Sequence, residues 1–302
     1  MNKDQNSLIV NVYGDTDSLY MSYENLLSTI EGIEKMSEQD KTKLLVGICT
    51  EFLNQHNKEF MEDYYKTRHC RDMIHEFELE TVAKSGVWLD VKKRYAQILA
   101  WKDGKYYDED SLPMKVKGLE IVKSSYPEVA RKMLKKLTRT LLENDDKLLI
   151  HILNKEMQQC KADWMKEDIE KISPTISVNN YNKYVLDDNN PNGPIVSSGC
   201  PFAVRGLATY NNIRQVKKLP GDPLYGGKMR YYVIKNMSRS KSKVDEFFCF
   251  QASNYPDWAL KYAPINRIAM FEKCVLDPFN RILTAIGMDA LSVSGYIQIS
   301  LF

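Results

Sequence analysis

The sequence predicts an α+β fold: an antiparallel sheet with packed helices over residues 1–122, then a mainly helical part with small β elements over 123–302. Three observations carry this. Short apolar runs bounded by turn residues recur through the first 110 residues, as strands of one sheet do. Between them, apolar residues from Leu45 to Tyr64 recur at helical spacing. Near Ser124 the pattern changes to long helical stripes, so a second packing unit begins there.

Each element has its own cause. Leu8–Tyr13 and Leu19–Met21 flank Gly14-Asp15-Thr16-Asp17-Ser18, which reads as strand, tight turn and strand across roughly Leu8–Tyr23. Ser37 can accept amide bonds and Asp40 suits a first helical turn, so a long helix is predicted from there to about Lys66. Phe77 and Leu79 alternate with Glu78 and Glu80 like a half-buried strand. Tyr95–Trp101 is a second strand, and Asp103-Gly104-Lys105 turns the chain before Tyr106-Tyr107. Ser125, Pro127 and Glu128 combine a cap serine, an early-turn proline and a glutamate three residues on. Val129, Met133, Leu137 and Leu141 then form one stripe, and another helix is predicted over 145–167. Asp187–Pro194 is a loop, Tyr231–Ile234 and Phe247–Phe250 are short strands, and a last helix runs from Arg267 to Ile286, where Gly287 ends it.

Composition excludes several classes. No run of 18 apolar residues occurs, which disfavours a membrane span. The first residues lack the basic start and apolar core of a secretion signal. Six scattered cysteines without a CxxC pair disfavour a zinc knuckle or a disulfide scaffold, and the four histidines make no metal set. Net charge is only +2, but residues 84–139 hold 14 Lys or Arg against 7 Asp or Glu. Such a block suits a phosphate backbone.

The chemistry-bearing motif is Tyr13-Gly14-Asp15-Thr16-Asp17-Ser18. Carboxylates at i and i+2 share a face of a strand, so Asp15 and Asp17 can reach one divalent-metal cluster. Metal at a hairpin tip points to phosphoryl transfer. A turn whose aspartates bond local backbone is the plainer alternative.

This hexapeptide resembles the acid hairpin in the palm of family B DNA polymerases. Lys92-Lys93-Arg94-Tyr95 resembles that family's lysine-and-tyrosine motif near the primer terminus. Lys117-Gly118-Leu119-Glu120 with Lys123-Ser124-Ser125 and Pro127 is similar to its palm-to-thumb segment, and Cys200–Asn211 to a thumb segment of the T4-like phage branch. The resemblance covers most of the chain. It implies the C-terminal part of a palm over residues 1–122 and a thumb over 123–302. It implies that Asp15 and Asp17 hold two Mg2+ ions in the assembled site and that Lys93 and Tyr95 grip the primer backbone. Lys92, Arg94, Lys117 and Lys123 would be further phosphate contacts, Arg205 a thumb residue facing duplex, and Glu80 an auxiliary palm acid. The terminal Gln298-Ile299-Ser300-Leu301-Phe302 is similar to the peptide by which related phage polymerases dock in a sliding clamp.

The resembled family carries an exonuclease, a first palm motif with another aspartate, and fingers upstream of this hairpin. The expectation is therefore a split DNA-directed DNA polymerase. An upstream polypeptide would supply those parts, with primer–template DNA, deoxynucleoside triphosphates and the clamp as further partners. No membrane partner is expected, and the implied setting is the cytoplasm of an infected bacterial cell. A non-catalytic DNA-binding accessory factor of palm–thumb shape and a self-sufficient nuclease or nucleotidyltransferase are the alternatives.

Overall fold

In the computed structural model the residues described are 7–16, 18–69, 71, 77–144, 148–235 and 247–292. The chain divides into two compact units, Met1–Leu119 and Glu120–Phe302. Both mix helices with antiparallel strands, so the architecture is α+β. No helix among the described residues is long and apolar enough to cross a membrane.

The first unit opens with the expected hairpin, β1 (Val10–Asp15) against β2 (Ser18–Ser22). Its ladder closes on the Asp15–Ser18 pair, and Thr16 takes the left-handed conformation a tight hairpin turn demands. After α1 (Glu24–Ser28), Ser37 accepts a bond from the Asp40 amide at 3.1 Å and starts α2 (Glu38–Gly47). A π-helical stretch, Ile48–Leu53, continues into α3 (Asn54–Thr67), which completes the long helix the periodicity predicts. The apolar spacing is helical, yet Phe52, Phe60 and Tyr64 face solvent.

The sheet of this unit consists of β3 (Thr81–Trp88), β4 (Tyr95–Lys102), β5 (Lys105–Tyr106) and β6 (Met114–Lys117). β4 is central, pairing with the other three, and Tyr95–Leu99 are buried without a break. A strand covered on both faces loses the alternation seen on a half-exposed one. Asp103 and Gly104, both at positive φ, make the predicted turn into β5. One expectation is corrected here: Phe77–Glu80 precede the strand, which starts at Thr81.

The second unit begins with α4 (Glu128–Glu143) and α5 (Leu149–Trp164), which pack together. Pro127, not Ser125, occupies the cap position, and no side chain caps the helix. The buried stripe is Ala130, Leu134, Leu137 and Leu141, so Val129 and Met133 sit beside the contact line. α6 (Ile169–Ile172) leads to β7 (Thr175–Val178). α7 (Tyr181–Tyr184) then precedes the hairpin of β8 (Val185–Asp187) and β9 (Ile195–Val196), which brackets the predicted loop. α8 (Phe202–Val216) lies against β11 (Phe247–Gln251), whose partner is β10 (Gly227–Val233), and β7 closes the three-stranded sheet. Val204, Leu207 and Ala208 of α8 meet Met229, Tyr231 and Cys249 in one core. A Cβ on Gly206 would stand 2.8 Å from the Cys249 sulfur, so glycine there lets helix and strand approach. On the sheet's other face Tyr232, Phe248 and Phe250 pack with Tyr255 and Trp258. α9 (Ala259–Tyr262) precedes α10 (Arg267–Phe271). The π-helical Glu272–Leu276 joins α10 to α11 (Asp277–Ala285), and Gly287 at φ 77° ends the run as expected.

Candidate nucleic-acid interface

The hairpin has two unlike faces. Tyr13 and Tyr20, opposite each other in the ladder, turn inward, while Leu19 and Met21 on the alternate positions of β2 face solvent. A bulge between Asn11 and Tyr13 sets this register. The inward tyrosines join Tyr95 and Trp88 of the sheet. Ring centroids are 5.7 Å apart for Tyr13–Tyr20, 5.4 Å for Tyr20–Tyr95 and 5.6 Å for Tyr20–Trp88. The Tyr20 hydroxyl donates to that of Tyr95 at 3.1 Å. Burial first, and this bond second, push the Tyr20 phenol well above its ordinary pKa, so it remains a neutral hydrogen-bonding group.

The basic turn is held from two sides. The Lys93 amide donates to the Tyr13 hydroxyl at 2.6 Å, across 80 residues of sequence. Lys93 sits at φ 61°, and Gly118 at φ 67° passes so close that a Cβ would meet the Lys93 carbonyl oxygen at 2.1 Å. The ladder places Tyr95 opposite Lys117. Residues from three separate sequence motifs therefore meet: the acid hairpin, the Lys92–Tyr95 turn and Lys117-Gly118.

At the tip, the Asp15 carboxylate keeps 11% of its side-chain exposure, and the Lys93 ammonium lies 3.9 Å from it with 61% exposure. The contact is long and the lysine side chain lies mostly in solvent, so the ammonium can also reach a phosphate. Thr16 donates its hydroxyl to the Asp15 carboxylate and Ser18 donates to the Asp15 carbonyl, which fixes the turn locally. Lys92 and Lys117 are exposed, and Arg94 is partly buried. Tyr13→Phe is expected to destabilise the first unit by about 1 kcal/mol, because the Lys93 amide loses its acceptor. Urea unfolding checks this, and an unchanged midpoint would show that the bond contributes nothing.

The other candidate residues have partners elsewhere. Glu80 binds Lys115 at 3.0 Å and is mostly exposed. In the second unit, the nearly buried Glu120 takes both Lys123 at 3.0 Å and Arg281 at 3.3 Å. Arg205 donates to the Cys200 carbonyl at 3.3 Å, at the start of its own helix. The thumb-like segment has a structural use that its motif did not reveal. Asn211 bonds the Tyr181 hydroxyl and both the carbonyl and amide of Leu224, while Asn212 bonds the carbonyls of Asp188 and Asn190. Asn212 thereby ties down the loop after β8 and Asn211 ties α7 to the segment before β10, and the adjacent Asn-Asn pair was the available signal.

Among the described residues no three His, Cys, Asp or Glu side chains lie together as a metal site would need. Asp15 is the described carboxylate at the hairpin tip, and Asp17 lies outside the described residues. One carboxylate beside an ammonium does not make a divalent-metal ligand set, so the described residues alone do not fit the magnesium ions that the resemblance implies. The Gln298–Phe302 tail also lies outside the described residues.

No family model matches the chain. The DNA-directed DNA polymerase of Escherichia phage RB69 is 28% identical to it over 235 residues. The match covers 71% of this chain and 24% of that protein, so the chain spans about a quarter of its relative's length. The likeness is one of distant relationship to a DNA polymerase.

Proposed function

We propose that this chain is the C-terminal palm and thumb portion of a DNA-directed DNA polymerase, completing a nucleotidyl-transfer site and gripping primer–template duplex. The observation that carries the reading is the Asp15–Lys93 juxtaposition, with Lys93 anchored through its amide on Tyr13. It joins an acid that can share a cation with a lysine that can reach a nucleic-acid phosphate. In this reading Lys92, Arg94, Tyr95 and Lys117 extend the primer contact, and Lys123 and Arg205 belong to the duplex-facing thumb. Glu80 supports the palm through Lys115.

Asp15 and Asp17 are this chain's carboxylates toward two Mg2+ ions, and the ligand set is completed from outside it. An upstream polymerase polypeptide with exonuclease, remaining palm and fingers supplies those ligands and the deoxynucleoside triphosphate pocket. The solvent-facing Val12, Leu19 and Met21 of the hairpin support such a partner, since apolar residues grouped on one strand face mark interaction surfaces. Gln298–Phe302 docks in the sliding clamp, and the assembly works in the cytoplasm of an infected bacterial cell.

The test is magnesium-dependent primer extension by this chain, by the upstream polypeptide, and by their mixture. Extension confined to the mixture is the expected result. Extension by this chain alone would mean a self-sufficient enzyme. Extension by the upstream polypeptide alone, unchanged on mixing, would leave this chain as an accessory factor.

A further inference from the structure

α2 lies against β3 and β4 of the first unit's sheet. The helical run then continues into α3, and of its 14 residues only Tyr65 is buried. The run is nonetheless amphipathic. Phe52, His56, Phe60 and Tyr64 recur every four residues and so follow one ridge. Ring centroids lie 4.3 Å apart for Phe52–His56 and 6.4 Å for Phe60–Tyr64, so each pair shares a face. Phe52, Phe60 and Tyr64 are 58%, 67% and 46% exposed. A helix of this length is marginal in water by itself, and proteins stabilise such helices by burying the apolar face. Among the described residues nothing covers that face here.

The two margins of the stripe differ. Glu59 and Asp63, on the adjoining ridge, are exposed, and among the described residues neither is in an ion pair. Met61 and Tyr65, on the other side, are half-buried and buried. A covering segment therefore meets acids along one margin and uncharged surface along the other. Two copies of the helix laid antiparallel would set acidic margin against acidic margin, which disfavours self-association. A partner with Lys or Arg beside its apolar residues satisfies both margins. The hairpin, whose exposed Leu19 and Met21 the proposed function sets against a partner, is tied to this run. The Tyr23 hydroxyl, one residue past β2, hydrogen-bonds the Cys49 sulfur, three residues before Phe52. In that reading most of the polymerase is the partner, since the match takes in 24% of the phage protein's length.

We infer that the stripe from Phe52 to Tyr64 is the docking surface for a helix of the upstream polypeptide, one with an apolar ridge and a Lys- or Arg-bearing margin facing Glu59 and Asp63. Ridges of spacing four pack into the grooves of a second helix. Docking would cover the apolar face of α3 and so stabilise the helix. The inference deepens the proposed function by naming where the partner binds, and it rests on that reading.

The experiment titrates the full chain with the upstream polypeptide, following affinity and backbone amide exchange, for wild type, F60Q/Y64Q and E59K/D63K. Removing two aromatic anchors should weaken association at least about thirtyfold. The melting temperature of the chain alone should stay close to that of wild type, since both rings are exposed. E59K/D63K should weaken association several-fold at ~0.05 M salt, and the loss should shrink at ~0.5 M, because the lost attraction is one that salt screens. Amide exchange over residues 54–67 should slow when the partner binds wild type. Equal affinity of wild type and F60Q/Y64Q would overturn the α3 surface and leave the proposed function standing, because the partner still binds. No association with wild type would remove the partner, and both readings with it. Self-association of wild type in sedimentation, lost in F60Q/Y64Q while affinity for the upstream polypeptide is unchanged, would assign the stripe to a second copy and overturn the inference.

Discussion

Asp17→Asn, assayed in the mixture with the upstream polypeptide, is expected to cut primer extension about a thousandfold while duplex affinity stays within about twofold. Asparagine keeps the size of the aspartate and most of its hydrogen-bonding shape, so the hairpin should still form. What disappears is one negative charge at the place where the proposed function puts cation binding. A metal's transition-state contribution of several kcal/mol, at about 1.4 kcal/mol per tenfold, gives the expected factor. Duplex binding depends instead on basic residues that the substitution leaves alone. Asp15 is paired with Lys93, so its own substitution also releases that lysine and mixes two effects. An accessory factor of the same shape would tolerate the change, and full synthesis by the variant would rule out a catalytic role for the hairpin.

Gly118→Ala is expected to destabilise the first unit by about 2–5 kcal/mol and to weaken duplex binding with it. Two costs combine. An alanine at φ 67° enters the left-handed region, where a Cβ crowds the following carbonyl. The same Cβ would lie 2.1 Å from the Lys93 carbonyl oxygen, which is backbone and cannot rotate away as a side chain would. Relief requires moving the Lys92–Arg94 turn, which the Tyr13 bond holds in place. The turn then shifts relative to Asp15, so the effect on nucleic-acid binding follows from the effect on folding. Urea unfolding of the variant, with duplex titration at a concentration of urea where it remains folded, reads both. An unchanged unfolding midpoint would mean that the turn moves aside without loss.

Local signals placed much of the fold. The hairpin follows from apolar runs around a small, acidic turn, and its ladder closes on Asp15 and Ser18 as that pattern requires. The long helix follows from the Ser37 cap and the apolar spacing after it. The failures have physical causes. β3 was hidden because register shifts around Val82, Ala83 and Ser85 break the two-residue period, while Phe77–Glu80 alternates without being a strand. Ser125 reads as a helix cap, but its carbonyl is engaged by the Thr175 amide and the helix begins after Pro127. Along α4 the neighbours select Ala130 and Leu134 rather than Val129 and Met133, since a helix with apolar residues at adjacent positions does not fix its own rotation.

The sequence by itself determined the acid hairpin, the long helices and the concentration of positive charge over residues 84–139, because each is set by neighbours a few positions away. Only the tertiary structure decided which charges meet. Lys93 lies beside Asp15, Lys115 takes Glu80, and Lys123 shares Glu120 with Arg281. A lysine's charge carries no information about its partner. The partner is fixed by long-range packing, here a tyrosine that anchors an amide 80 residues away and a glycine that lets two backbone turns touch.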